Sequence, residues 1–164
     1  MRKFVLWTLV TLGVAIGAIA IYVYMQIRSL TVVTVTDDLH MIQGFGGNVG
    51  VLKTGAGTVI VDTMTFTLQG ERIRQLAEKL TGEPVVLVIN THYHSDHTHG
   101  NPAFAGGTKV ISTKQTLHHL QALDASYWEG SAAALLPNLV AAGRTCNQSV
   151  AGAPWTAQNS TRHR

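Results

Sequence analysis

Cysteine and acidic side chains are scarce in this chain. Cys146 is the single cysteine among 164 residues, which excludes an intrachain disulfide and disfavours a metal site built from thiolates. All nine Asp and Glu residues lie before residue 130. Within residues 29–129 these nine acids outnumber six Lys and Arg, a balance of −3. The formal charge of +3 therefore comes from the two ends of the chain, and the sequence predicts no nucleic-acid-binding patch.

Charge is also missing near the N-terminus, where residues 4–27 form an apolar run of 24 residues. A helix of this length spans roughly 36 Å, enough for a hydrocarbon core of about 30 Å. Signal-peptide cores have about 7–15 residues, so residues 1–28 are predicted to be an uncleaved, single-pass membrane anchor. Arg2 and Lys3 precede the run and only Arg28 follows it closely, which predicts a cytoplasmic N-terminus. The rest of the chain is then expected on the outer (periplasmic or extracellular) side.

Residues 29–129 show the alternation of short strands and helices that is typical of an α/β (α+β) domain. A helix is predicted over Gln69–Leu80 and ends at Gly82, and a second is predicted over Lys114–Ala125 after a cap at Ser112 or Thr113. The strand–helix–strand order around the first helix predicts parallel pairing of its two flanking strands. The predicted strands are Thr31–Thr36, Leu39–Ile42, Asn48–Leu52, Thr58–Asp62, Pro84–Ile89 and Lys109–Ser112.

A cluster of metal-ligand residues follows the fifth of these strands: His92, His94, Asp96 and His97. Imidazole nitrogens and carboxylate oxygens are ligands that zinc and similar divalent ions take. His92 and His94 are two residues apart, so in an extended segment their side chains leave on the same side and can meet one ion. Asp96 and His97 could serve a second ion about 3.5–4 Å away. The alternative interpretation is a solvent-exposed loop that is merely rich in histidine.

The order of these motifs resembles the metallo-β-lactamase-fold hydrolases. The resemblance covers about residues 31–128 and is carried by the segments Gly46–Leu52, Thr58–Thr63, His92-x-His94-x-Asp96-His97 and Gly100-Asn101-Pro102. It implies an αββα sandwich, of which the chain supplies the N-terminal half only, preceded by one transmembrane helix. It also implies that His92 and His94 hold one zinc ion and that Asp96 and His97 hold a second. Asp96 would be the catalytic carboxylate that orients the attacking water.

Family members carry a second half that supplies another histidine, a bridging aspartate and a last histidine. Residues 130–164 contain no acid, and their single histidine, His163, has no strand context, so the expectation is an atypical, disordered tail. The zinc site, for one or two ions, is then expected to be incompletely occupied. One face of the sheet is expected to remain uncovered and open to self-association.

Two functions follow from these observations. The first is a membrane-anchored zinc hydrolase of a small-molecule substrate, with the substrate class unassigned. The alternative is a truncated, non-catalytic remnant with weak metal binding or an interaction role.

Five further residues are weighed as candidates. Asp62 either supports the histidine motif, as the resemblance implies, or simply ends a strand. His40 is predicted to be a surface strand residue, and His118 and His119 are predicted to be helix-surface residues. His99 replaces a glycine that is common in the family; it is predicted to be a flanking surface residue, with crowding of the cleft or an added ligand as alternatives.

Overall fold

The computed structural model describes residues 2–104 and 106–124 as a long helix followed by a mixed six-stranded sheet. The strands are β1 (Leu30–Thr34), β2 (Leu39–Gly44), β3 (Gly47–Lys53), β4 (Thr58–Val61), β5 (Val85–Asn90) and β6 (Lys109–Ser112). The helices are α1 (Arg2–Arg28), α2 (Thr67–Thr81), α3 (Ser95–Thr98) and α4 (Lys114–His119). A 3-10 turn covers Asn101–Phe104, and wider π-type turns over Leu120–Asp124 continue α4.

The six strands lie in the sheet in the order of the chain. Strands β1 to β4 are antiparallel, whereas β4, β5 and β6 are parallel. The predicted crossover through α2 is therefore confirmed, β3 and β4 form an antiparallel pair, and the domain has a mixed α/β fold. Because β4 and β5 are parallel, their carboxyl ends meet at one edge of the sheet. This edge receives both Asp62 and the histidine motif.

One face of the sheet is buried beneath α2. Every second strand residue points to this face, and Ile60, Val88 and Val110 lie side by side in register across three strands. Helix α2 contributes Ile73 and Ala77 to the same core, and Gly82 ends the helix with a left-handed φ of 71°. The buried side chains of this core are Ile42, Val49, Val51, Ile60, Met64, Ile73, Ala77, Val85, Val88, Phe104 and Val110.

The opposite face of the sheet is apolar but only partly covered. Its side chains in the described part of the chain are half-buried or exposed: Met41, Leu52, Val59, Val61, Leu87, Ile89 and Ile111. At about 25 cal/mol per Å², such a surface gains free energy when another apolar surface covers it. The described residues thus leave one apolar face of the sheet accessible.

Helix α1 is long and apolar enough to cross a membrane, with 27 residues and a mean hydropathy of 2.4 over its best window. None of its residues is buried against the sheet domain. The predicted tail, residues 130–164, lies outside the described residues, as does Ala125 at the predicted end of the last helix.

His40 corrects one expectation. It was predicted to be a surface residue, yet it is only 8% exposed, and its Nδ1 lies 3.3 Å from the Thr34 hydroxyl on β1. The strand pleat explains the error, because His40 shares its face with Ile42, which belongs to the core. A neighbouring hydroxyl compensates the buried imidazole.

Candidate metal centre

Two backbone segments cross behind the histidine motif and fix its position. One comprises residues 62–64, directly after β4, and the other comprises residues 97–100, at the end of the motif. The residues after β4 include two left-handed, non-glycine conformations, Asp62 (φ 66°) and Met64 (φ 62°). Such conformations cost about 1–3 kcal/mol each and persist where the surroundings impose them. Here Thr63 donates its amide to the His97 carbonyl at 2.9 Å, and Gly100 donates its amide to the Met64 carbonyl at 3.0 Å. The approach is so close that a Cβ atom on Gly100 would collide with the Thr63 carbonyl oxygen.

Three buried polar side chains tie these segments together, and we call Thr63, Asn90 and Asn101 the amide clamp. Asn101 donates to the Asn90 side-chain oxygen at 2.7 Å, and Asn90 donates back at 3.2 Å. Thr63 donates to the Asn101 side-chain oxygen at 2.9 Å. The His97 carbonyl accepts from the Thr63 backbone amide and from the Asn90 side-chain amide (3.2 Å), and the Thr63 hydroxyl oxygen lies 3.1 Å from it. The clamp therefore immobilises the backbone at His97.

Asp62 is 5% exposed and accepts hydrogen bonds from the histidine motif. Its Oδ1 accepts from the Thr91 amide at 2.8 Å. Its Oδ2 accepts from the Thr91 hydroxyl at 2.7 Å and from Nδ1 of His97 at 2.8 Å. Of the two interpretations of Asp62, the structure favours the supporting role over that of a simple strand-ending residue. A carboxylate that accepts from a histidine fixes the tautomer and the orientation of that ring.

The four predicted ligand residues lie together as two pairs. Nε2 of His92 is 3.2 Å from Nδ1 of His94, and Nε2 of His97 is 3.2 Å from Oδ2 of Asp96. The rings of His92 and His97 connect the pairs, with centroids 3.9 Å apart. Two ligand atoms on one tetrahedral zinc ion, at bond lengths of about 2.0–2.1 Å, are about 3.3 Å apart. Each pair thus has the spacing of two ligands on a shared ion.

A complete metal cage is nevertheless not formed in the described part of the chain. Among residues 2–104 and 106–124, no group of three or more His, Cys, Asp or Glu side chains is arranged to hold a metal ion. The donor set present is two pairs of nitrogen and oxygen ligands, and these suit zinc chemically. The four side chains thus form two halves of a metal site.

The pKa of His92 is lowered below its ordinary value of 6.5. Burial contributes most, followed by the nearby positive charges of protonated His97 and His94, and these causes outweigh the opposite effect of Asp62 and Asp96. A lowered pKa favours the neutral imidazole, which is the form that binds a metal ion.

His99 corrects a second expectation. It was predicted to be a flanking surface residue, yet it is fully buried. The amide of His99 bonds to the Ser95 carbonyl at 3.1 Å and closes α3, and the chain then turns inward so that residues 98–101 are all buried. A surface position for His99 was therefore wrong.

The histidines of α4 lie beside the motif. His118 is exposed, as predicted, whereas His119 is half-buried with its ring 5.0 Å from that of Tyr93. The Tyr93 ring is in turn 4.6 Å from the ring of His94. Helix α4 thus contacts the motif through Tyr93.

Comparison with protein families bears directly on this arrangement. The model of the metallo-beta-lactamase superfamily matches residues 42–154, which include both crossing segments and all four ligand candidates. The chain belongs to this superfamily. The match continues beyond residue 128, where the motif-based resemblance ends.

Two curated relatives of this superfamily member carry the names of hydrolases. A probable metallo-hydrolase of Methanocaldococcus jannaschii is 40% identical over 58 residues, covering 35% of this chain and 29% of the relative. A hydroxyacylglutathione hydrolase of Rhodospirillum rubrum is 32% identical over 106 residues, covering 61% of this chain and 39% of the relative. The chain spans about a third of the length of these relatives.

Solved structures show the same fold at low sequence identity. A metallo-beta-lactamase of Pseudomonas aeruginosa in its mono-zinc form aligns with a TM-score of 0.51 at 18% identity, covering 55% of this chain and 44% of that one. A metallo-beta-lactamase of Pontibacter korlensis aligns with a TM-score of 0.51 at 20% identity, covering 58% and 49%. At 18% and 20% identity, the structural similarity shows that this chain shares the fold of these two proteins.

Proposed function

We propose that this chain is a membrane-anchored, zinc-dependent hydrolase of a small-molecule substrate. The observation that carries the proposal is the pair of ligand pairs at the edge where β4 and β5 end, with Asp62 behind them. Membership of the superfamily and the hydrolase names of the two curated relatives support the same reaction class.

Each ligand pair has a separate role in this proposal. His92 and His94 would hold one ion, and Asp96 and His97 would hold the second. A divalent ion bound there supplies Lewis-acid polarisation of a carbonyl or phosphoryl oxygen and makes water acidic enough to attack near neutral pH. Asp96 is the proposed catalytic carboxylate, because its side chain is 45% exposed and can reach a water molecule, orient it and accept its proton.

The substrate class remains open among β-lactams, thioesters, lactones and phosphoesters. The similarity to a hydroxyacylglutathione hydrolase makes a thioester a required member of any substrate screen.

The domain division extends the proposal. Residues 29–129 would form the N-terminal half of an αββα sandwich and residues 1–28 the anchor, followed by residues 130–164 as an atypical tail, of which the superfamily match includes residues 130–154. The partly covered apolar face of the sheet supports self-association of such a half, because apolar area removed from water stabilises a contact.

Helix α1 would be the single-pass anchor, with a cytoplasmic N-terminus and the sheet domain on the outer side. Its length, hydropathy and lack of burial support this proposal, as do Arg2 and Lys3 before the apolar run. Alkaline extraction of membranes should leave the chain in the pellet, and protease added to spheroplasts, from which any outer membrane has been removed, should remove the sheet domain. Release by alkali would contradict the anchor, and protection from protease would contradict the orientation.

A non-catalytic role is the second candidate, because the described residues hold no group of three metal ligands. In that case the chain would bind a metal weakly or present its apolar sheet face to a partner.

Metal content and turnover of the purified full chain distinguish these two functions. We expect bound zinc and hydrolysis of nitrocefin, a nitrophenyl ester or a thioester, both lost in His94→Ala. His118→Ala removes an exposed histidine outside the motif and serves as the matched control. Fewer than about 0.2 zinc per chain, together with no turnover that depends on His94, would reject the enzyme, since catalysis here needs an occupied site.

A further inference from the structure

The Thr91 hydroxyl lies between a carboxylate and a candidate metal ligand. Its oxygen is 2.7 Å from Oδ2 of Asp62 and 3.0 Å from Nδ1 of His92. The backbone amide of Thr91 separately donates to Oδ1 of Asp62 at 2.8 Å. The hydroxyl and the amide of one residue thus contact both oxygens of the same carboxylate.

The direction of these hydrogen bonds follows from the chemistry of the groups. A carboxylate can only accept, so the single hydroxyl proton of Thr91 must be donated to Asp62. The Thr91 oxygen is then left as an acceptor, and Nδ1 of His92 must carry the proton that it receives. The other ring nitrogen, Nε2, keeps its lone pair, and it is Nε2 that lies 3.2 Å from His94.

We propose that Thr91 is a positioning residue that fixes the tautomer of His92, so that Nε2 presents its lone pair towards His94. Asp62 therefore sets two histidines through one oxygen, His97 directly and His92 through the Thr91 hydroxyl. The consequence for metal binding rests on the proposed function, whereas the tautomer itself is a property of the metal-free protein.

Two substitutions isolate the hydroxyl. Thr91→Val retains the branched shape and the amide that bonds Oδ1 of Asp62, and it removes only the hydroxyl. Thr91→Ser retains the hydroxyl and loses a methyl group. Because Thr91 is exposed, neither change opens a cavity in the core.

The tautomer can be measured by long-range ¹⁵N–¹H NMR of imidazole rings in the metal-free full chain in detergent micelles. A pH of about 8, above the ordinary histidine pKa, keeps the rings neutral. We expect the Nδ1–H form of His92 in the wild type and in Thr91→Ser, and a shift towards the Nε2–H form in Thr91→Val. His97 should keep its Nδ1–H form in all three proteins, because its bond to Asp62 is direct.

Titration with Zn²⁺ alone then tests the consequence. Loss of a group that orients a metal ligand typically weakens metal affinity about 10-fold to 100-fold. Thr91→Val should therefore bind zinc at least about 10-fold more weakly, while Thr91→Ser recovers most of the affinity.

Two results would overturn the inference. One is an Nε2–H form of His92 in the wild type, and the other is an unchanged tautomer in Thr91→Val. If Thr91→Val does not fold, the wild-type and Thr91→Ser spectra decide it. A wild type with the expected tautomer that binds no zinc would reject the proposed function and leave the assignment of Thr91 standing.

Discussion

The two ligand pairs differ in how firmly the fold holds them. In the Asp96–His97 pair, the His97 ring bonds to buried Asp62, and the His97 carbonyl accepts from the Thr63 backbone amide and the Asn90 side-chain amide. In the His92–His94 pair, the rings contact each other, and the Thr91 hydroxyl ties the His92 ring to the domain through a hydrogen bond. His94 is also exposed, whereas His97 is half-buried.

The difference indicates that one pair is held in place by the protein before any metal binds, whereas the other needs the metal to order its side chains. The Asp96–His97 pair is organised by interactions within the sheet domain, so its geometry should survive without metal. The His92–His94 pair has few such interactions, and an ion between its two nitrogens would contribute much of its order. The predictions below test this contrast.

Asp62→Ala should have the largest effect, because both pairs depend on this carboxylate. Three donors lose a charged acceptor in a buried place, which should cost about 3 kcal/mol of the free energy of unfolding. Denaturant unfolding of the metal-free full chain in micelles measures this loss, and zinc titration should show weaker binding at both pairs. Asp37→Ala, at an exposed turn, is the control and should be neutral. Weaker binding at only one pair would show that Asp62 does not serve both.

Asn101→Ala should come next, since it breaks the amide clamp while Asp62 remains. Asn90 and Thr63 would lose their buried partner, at a cost of about 2 kcal/mol in the free energy of unfolding. Zinc affinity should fall mainly at the Asp96–His97 pair, which isothermal titration of this variant would show as the weakening of one of two binding events. Asn48→Ala on β3 removes an exposed amide and is the matched control. An equal effect of both substitutions would remove any special role of the clamp.

His97→Ala and His94→Ala should differ even without metal. Removing the His97 ring takes a partner from buried Asp62 and should cost about 1–2 kcal/mol of stability. Removing the exposed His94 ring should change stability by less than about 0.5 kcal/mol. Both variants should lose zinc. Equal stabilities of the two metal-free variants would erase the contrast between the pairs.

The smallest effect concerns pH. The pKa of His92 is lowered in the folded protein, mainly by burial and next by the charge of protonated His97. Since the unfolded chain takes up this proton first, His92 should reduce stability as the pH falls below about 6.5 towards its folded pKa, and should have no effect above that range. An NMR titration should place the His92 midpoint below 6.5 and closer to 6.5 in His97→Ala. A wild-type midpoint above 6.5 would contradict this account.

Much of the fold could be predicted from local pattern. The β-branched and apolar runs predicted every strand to within a few residues, and the apolar period with Gly82 predicted α2. The ligand motif itself could be recognised in the sequence because its four residues lie within six positions. What local pattern could not supply was the direction in which isolated residues point, which is why the burial of His40 and of His99 was missed.

The support behind the site was harder to predict for a related reason. The Thr91–Asp62 bond joins residues 29 positions apart, and the Thr63–Asn101 bond joins residues 38 positions apart. Asn90 and Asn101 are ordinary turn residues when read alone, and only the parallel pairing of β4 and β5 brings them to Thr63. The resemblance to the family drew attention to Asp62, whereas no signal in the sequence singled out the amide clamp.

A single residue joins the long helix to the sheet. Ser29 alone separates α1 from β1, and its amide still bonds to the carbonyls of Met25 (3.0 Å) and Gln26 (3.2 Å). With α1 in a bilayer, as we propose, this one-residue junction would restrict the rotation of the sheet domain relative to the helix. The histidine motif would then keep a nearly constant orientation relative to the lipid surface. A substrate of the proposed hydrolase would have to approach it from one side.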